Sequence, residues 1–320
     1  MRLATIELGG RTCAAVILAD DSAVALDAAA AAMGTDLPPE VAAAFSSCNL
    51  QDVIAAGPAA LEAARAVADV GGAGRLPGAR HPAGKVRLLA PLPHPAKNVF
   101  CVGRNYAEHI AEGERAQNMK IGVTEYPVFF TKPPTAIAGP GAAVPIFPQV
   151  STAIDYEVEL AVIIGTAGRD IPRERAYEHV FGYTILNDVT ARDVQRRHGG
   201  QYFKGKGLDG SCPMGPWIVT ADAIGDPENL GLRLWVNGDL RQDGNTSDMI
   251  FDIPTLIASL SEGMTLEPGD ILATGTPSGV GYAMDPPQYL KHGDVVVCEI
   301  DGIGRLENTM RAEDRARRVA

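Results

Sequence analysis

The chain has 320 residues, 46% of them hydrophobic and 21% charged, enough for one large domain or two ordinary ones with a sizeable core. Twenty-eight basic residues against 39 acidic ones give a formal net charge of −11, which argues against nucleic acid or an anionic membrane as a general partner but leaves a small anionic ligand open. No apolar run nears the roughly 18 residues that span a bilayer, the N-terminus lacks a signal peptide's continuous apolar stretch, and five scattered cysteines without a CxxC read as reduced thiols of a cytoplasmic protein.

In chain order, residues 1–90 are Ala-rich and read as a smaller α+β domain. "LATIEL" and "CAAVIL" pattern as paired strands around Gly9-Gly10, and "DVIAAGPAALEAARAVADV" as a helix interrupted near Gly57-Pro58. The Gly- and Pro-dense stretch ending in "PLPHPAKN" reads as a linker with one short strand. Residues 91–320 differ in character. Strand-like runs recur in "NVFCVG", "PVFFTK", "YEVELAVIIG", "VFGYTILN", "GPWIVT", "LRLWVNG" and "VVVCEIDG", and Asn237-Gly238 is a two-residue hairpin signal. "ARDVQRRHG" and "DIPTLIASLSEGM" are the helix candidates, the second with Asp252 as N-cap and Pro254 in its first turn. Many strands, many turns and few helices predict an α+β, β-rich fold with a mixed β-sandwich or roll. The basic tail "RAEDRARRVA" reads as a solvated end.

In "IDYEVELAVIIG", Asp155, Glu157 and Glu159 alternate with apolar residues, so a strand period of two directs all three acids to one face. Acids at i and i+2 ordinarily mark a solvated face. The next strand changes that reading: "VFGYTILNDVTARD" is apolar up to Asn187 and then presents Asp188 at a strand end. If the two strands are neighbours, Glu157, Glu159 and Asp188 converge on a hard, all-oxygen metal site suited to Mg²⁺ or Mn²⁺, with Ca²⁺ also compatible, rather than Zn²⁺. Such a cation neutralises a repulsion that would otherwise force protonation or exposure. Asp155, near the strand's start, is either a fourth ligand or solvated.

"AIDYEVELAVIIG", "NDVTARDVQ", "KGKGLDGSCPMGPWIV" and "ILATGTPSGVG", with "VGRNYAEH" upstream and "HGDVVVCEIDGIGRLEN" downstream, stand in the order and spacing of the fumarylacetoacetate hydrolase family. The resemblance covers about residues 95–310, and the first 90 residues resemble the variable front domain of two-domain members. It implies that Glu157, Glu159 and Asp188 hold a divalent metal. It also implies that His109 and Glu112, three apart, orient and deprotonate water, a pair that would otherwise read as a helix-surface contact. Fumarylacetoacetase has a further metal-binding Asp seven residues before its catalytic His. Val102 stands there here, which points to relatives acting on pyruvate-type substrates.

By pattern alone Arg192 and Gln195, one turn after Asp188, read equally as a solvated helix face; the resemblance implies that they face the substrate, where the arginine is suited to a carboxylate. Of Lys204 and Lys206, flanked by glycines, the family's spacing favours Lys206 as an oxyanion partner. Lys132 in "FFTKPP" is a weaker candidate for an anionic group. Thr276, in a Gly-rich turn that lacks a phosphate loop's lysine, is suited to an oxyanion or carboxylate. The polar stretch from Glu112 to Gly122 reads as a lid or as a plain surface loop. Together these predict a metal-dependent hydrolase that cleaves a carbon–carbon bond of an acylpyruvate-like 1,3-diketo acid through a pyruvate enolate. Isomerase, decarboxylase or lyase chemistry on a related keto acid is the alternative, and a non-catalytic keto-acid or metal binder the third reading. The resemblance further implies a homodimer.

Overall fold

The computed structural model describes residues 1–34, 37–120 and 122–313. Two sheets face each other, and the larger has twelve strands. From Arg2–Leu8 to its far edge it runs Arg2–Leu8, Cys212–Thr220, Val180–Asn187, Val158–Ile164, Ile271–Ala273, Val99–Gly103 and Val128–Lys132. The five-stranded sheet runs Asp239–Asn245, Gly231–Val236, Val295–Ile300, Gly304–Ala312 and Ala143–Ile146. The β-rich, mixed sandwich expected from sequence is the observed architecture.

The strand Val158–Ile164 explains how the site is positioned. It is buried on both faces, as an apolar run at the centre of a covered sheet must be. Val158, Leu160, Val162 and Ile164 pack toward Leu232, Leu234, Val296 and Ile300 of the smaller sheet. Ala161 and Ile163 point the other way, into a second core with Leu3, Leu26, Phe45, Val53 and Ile54 of the N-terminal segment. Glu159 shares the parity of Ala161 and Ile163. The N-terminal layer therefore covers the apolar half of that face, and the acids occupy the half beyond it.

Pairing of neighbours brings the third acid to the same place. Val158 is opposite Asn187 and Glu159 opposite Leu186, and the amide of Asp188 donates to the Glu157 carbonyl at 2.8 Å. Asp188 shares the parity of Leu186 and so lies on the face of Glu159.

Other local expectations hold. Arg2–Leu8 pairs with Arg11–Ile17 around Gly9-Gly10, and the helices Leu50–Ala55 and Gly57–Gly72 are separated near Gly57. Asn237 and Gly238 both have positive φ (54° and 87°) and close the hairpin between Gly231–Val236 and Asp239–Asn245. Asp252 caps the helix Ile253–Ser261, accepting from the Thr255 amide at 2.9 Å.

Two features differ from expectation. Two further helices, Leu26–Met33 and Pro39–Ser46, occupy the Ala-rich start, where small side chains gave a weak apolar period. The Gly/Pro-dense stretch carries two short strands, Arg80–His81 and Arg87–Leu88, that join the large sheet. Arg2–Leu8 pairs with Cys212–Thr220, so the N-terminal strands continue the same hydrogen-bonded sheet. Residues 314–320 of the basic tail lie outside the described residues. No described helix is long and apolar enough to cross a membrane.

Candidate active site

Glu157, Glu159 and Asp188 are buried, and each offers an oxygen within 4.8 Å of the others. Their partners differ. Glu157 accepts from Arg192 at 2.7 Å and from the Lys206 ammonium at 2.5 Å. Asp188 accepts from Lys206 at 2.6 Å and from Lys132 at 2.7 Å. Glu159 has no ion pair among the described residues; its Oε2 accepts from the Gly275 amide at 2.9 Å.

The electrostatics follow from these partners. Burial pushes the Glu157 carboxyl up, but the Arg192 and Lys206 cations outweigh it and hold Glu157 below the usual carboxylate range. Burial, together with the Asp188 and Glu157 charges, pushes Glu159 well above that range. The donor set is therefore three buried oxygen ligands, one of them strained by its neighbours' charge. An oxygen-seeking divalent cation fits it, since its charge relieves the repulsion at Glu159.

Asp155 does not join this set. The strand is interrupted after Asp155: Ile154–Asp155 pairs with Thr190–Ala191 in a separate two-stranded ribbon, and the main strand begins at Val158. Its carboxylate accepts from the Arg192 Nε at 2.9 Å and from the amides of Gly281 (2.8 Å) and Tyr282 (3.1 Å). The acid thereby fixes the guanidinium that in turn holds Glu157.

Across a cavity of about 220 Å³ stand His109 and Ile110 of the helix Ala107–Gln117. His109 Nδ1 is 2.8 Å from Glu112 Oε1, and the other Glu112 oxygen accepts from the Gly279 amide at 2.8 Å. With Nδ1–H donating to the carboxylate, Nε2 presents a lone pair. Gly279 is required at this point. Its φ is +106°, and a Cβ there would stand 2.0 Å from the Arg241 carbonyl oxygen. Gly275, at φ +97°, likewise packs against Asn105 while its amide holds Glu159. The Gly-rich turn therefore spends these two amides on protein carboxylates.

Gln195, Arg192, Lys206 and Thr276 line the cavity with Glu157 and Glu159. The Thr276 hydroxyl is already engaged, donating to the Val158 carbonyl and accepting from Gln242. Arg192 also stacks on the Tyr282 ring at 4.4 Å. Lys206 is buried and lines the cavity, whereas Lys204 is exposed. Lys132 does not reach the cavity and cannot meet a substrate anion. It is fully buried, donating to Asp188, to the Val189 carbonyl and to the Lys206 carbonyl. A strand lysine pointing inward is read as a surface residue unless its buried acidic partner is known. Glu112 through Gln117 continue the helix, Gln117 and Met119 line the cavity, and position 121 of the expected lid lies outside the described residues.

Residues 98–311 match the pattern of the family described as fumarylacetoacetate (FAA) hydrolase, C-terminal. The chain belongs to the fumarylacetoacetate hydrolase family. It is 52% identical over 224 residues, 70% of this chain and 73% of the relative, to oxaloacetate tautomerase YisK of Bacillus subtilis (strain 168). It resembles the structure of fumarylacetoacetate hydrolase from the psychrophile Exiguobacterium antarcticum, with 42% identity and a TM-score of 0.77 over 98% of this chain and 100% of that one. It also resembles maleylpyruvate hydrolase from Sphingobium sp. SYK-6 in complex with manganese(II) ion and pyruvate, with 34% identity and a TM-score of 0.73 over 98% and 100% of the two chains.

Sequence reasoning did not single out several residues that line the cavity of this family member: Arg104, Arg196, Phe130, Tyr202 and Tyr282. Arg104 carried a signal only in its place, five residues before His109. Its φ of 60°, uncommon for a residue with a side chain, is a property of the fold. Among the described residues Arg104 has no carboxylate partner, which leaves its charge available to a ligand.

Proposed function

We propose that this chain is a divalent-metal-dependent enzyme that interconverts the enol and keto forms of a small 2-keto dicarboxylic acid, oxaloacetate foremost. The observation that supports this reading is the His109–Glu112 pair, whose imidazole lines the same cavity of about 220 Å³ as Glu157 and Glu159 of the buried carboxylate triad. A cavity of that size accommodates a four-carbon diacid. The 52% identity to an oxaloacetate tautomerase supports the same substrate.

Glu157, Glu159 and Asp188 would hold Mg²⁺ or Mn²⁺, which supplies Lewis acidity at the 2-keto oxygen. The chain's own residues do the rest. His109 Nε2 accepts a proton from C3 of the keto form; the C–H electron pair becomes the C2–C3 double bond, and the carbonyl pair moves onto the oxygen, which is then protonated. Glu112 holds the imidazole tautomer and stabilises the imidazolium. Arg104 and Arg196 offer charge to a substrate carboxylate. Lys206 and Arg192 balance Glu157 and position it rather than meeting the substrate first. The reverse sequence ketonises the enol.

Hydrolysis of an acylpyruvate stands second. The likeness to maleylpyruvate hydrolase favours it, as does a His–Glu pair able to deprotonate water. A substrate panel separates the two. Fresh oxaloacetate enol, acetylpyruvate and fumarylpyruvate are followed by their enol absorbance and by pyruvate release, with Mg²⁺ or Mn²⁺ and then with EDTA. Metal-dependent loss of oxaloacetate enol without pyruvate is the expected result. Rapid pyruvate release from the diketo acids, with oxaloacetate enol untouched, would replace the tautomerase with the hydrolase.

A further inference from the structure

A second cluster of metal-ligating side chains lies in the N-terminal layer, away from the cavity. Cys13 belongs to the strand Arg11–Ile17, Asp27 to the first turn of the helix Leu26–Met33, and Cys48 to the turn between the helices Pro39–Ser46 and Leu50–Ala55. We propose that Cys13, Asp27 and Cys48 form a site for a thiophilic divalent cation, with Zn²⁺ the fitting ion. One ligand atom from each lies within 4.8 Å of the others. Asp27 Oδ2 is 3.6 Å from the Cys48 sulfur and 4.0 Å from that of Cys13. Tetrahedral zinc, with bonds of about 2.3 Å to sulfur and 2.0–2.2 Å to oxygen, sets sulfur–oxygen edges of about 3.6 Å. The observed separations are close to those edges.

Three further observations point to a ligand here. The other Asp27 oxygen, Oδ1, is buried with no hydrogen-bond partner, an arrangement that costs energy unless something is bound. The nearest cation, Arg11, reaches Asp27 Oδ2 only at 3.3 Å, and its side chain is 65% exposed, so it can swing away. Cys48 is held at φ 60°, with its side chain turned toward the acid. Two sulfurs and one carboxylate are a soft set, opposite in preference to the all-oxygen triad. A bound cation would displace the two thiol protons to solvent. Cys48 and Asp27 are only half-buried, which leaves room for water as fourth ligand. A cation there would tie strand, helix and turn together at the outer edge of the layer.

The test is a Cd²⁺ titration of the reduced, metal-stripped full chain, read by the sulfur-to-metal charge-transfer absorption that only thiolate ligation produces. One equivalent is expected to give the band, and Zn²⁺ to abolish it by competition. The Glu159→Gln variant, which disables the oxygen triad, should retain it. Cys48→Ser should lose it while keeping the wild-type circular dichroism spectrum. Asp27→Asn, with both thiols in place, should weaken Cd²⁺ binding at least tenfold. Absence of the band in the wild-type chain overturns the proposal. So does a band that survives in the Cys13→Ser/Cys48→Ser double variant, because Cys101, Cys212 or Cys298 would then be its source.

Discussion

At the scale of single residues, charge bookkeeping governs the site. Glu159 carries the cost of three carboxylates in one buried place, because Lys206 and Arg192 neutralise its neighbours. Glu159→Gln should therefore leave the melting temperature of the metal-free protein unchanged or raised, while abolishing the rise that Mg²⁺ produces. A thermal melt with and without the ion checks both parts. Lys132 acts in the opposite sense. Lys132→Met leaves Asp188 short of a buried partner and should cost about 3–5 kcal/mol by denaturant unfolding, whereas a solvent-facing lysine would cost almost nothing. The sequence shows the identity of such residues but not their direction. Glu157, Glu159 and Asp188 were legible as a cluster because neighbouring strands and a strand end bring them together, although Glu157 itself lies in the break between Ile154–Asp155 and Val158–Ile164. Lys132 and the inward turn of Asp155 were not, because each depends on a partner far along the chain.

At the scale of elements, the turn from Thr274 to Gly281 joins the two halves of the site. Its Gly275 amide holds Glu159 and its Gly279 amide holds Glu112. Gly279→Ala would press a methyl against the Arg241 carbonyl and shift the turn. The expected result is a fall in kcat on the order of 100-fold, as small misplacements of catalytic groups produce, with metal-dependent stabilisation largely kept. The helix Ile253–Ser261 offers a structural counterpart. Burial pushes the Asp252 carboxyl up, but hydrogen bonds from Thr255 and the Arg173 pair outweigh it and hold it below the usual range. A depressed carboxyl stabilises the fold above its unfolded-state pKa, and that contribution is lost as pH falls through its folded value. Asp252→Ala should cost about 1 kcal/mol at neutral pH and progressively less in acid, a difference that urea unfolding at two pH values would measure. This cap, like the Asn237-Gly238 hairpin, was legible because its chemistry is local. The helices Leu26–Met33 and Pro39–Ser46 were not, since alanine-rich faces carry little hydrophobic contrast.

At the scale of the molecule, the two-faced burial of Val158–Ile164 couples the N-terminal layer to the site. Ile163, Leu186 and Ile218 pack against that layer. A chain lacking residues 1–90 would expose this face and the edge of Cys212–Thr220, and loss of soluble, monodisperse protein is expected. The β-rich architecture was legible in the recurring short strand-like runs, while the continuity of the N-terminal strands with the large sheet rests on a pairing more than 200 residues apart in the chain.

The role proposed for His109 is to move a proton at carbon, in a cavity whose carboxylates would hold a divalent metal. The most direct measurement is the initial rate of oxaloacetate enol-to-keto conversion at saturating Mg²⁺, in the wild-type protein and in His109→Ala, with the melting temperature of each. A fall of about 10²–10⁴-fold, at unchanged melting temperature and unchanged Mg²⁺ stabilisation, is the predicted result. A His109→Ala protein that ketonises oxaloacetate at the wild-type rate would contradict the account.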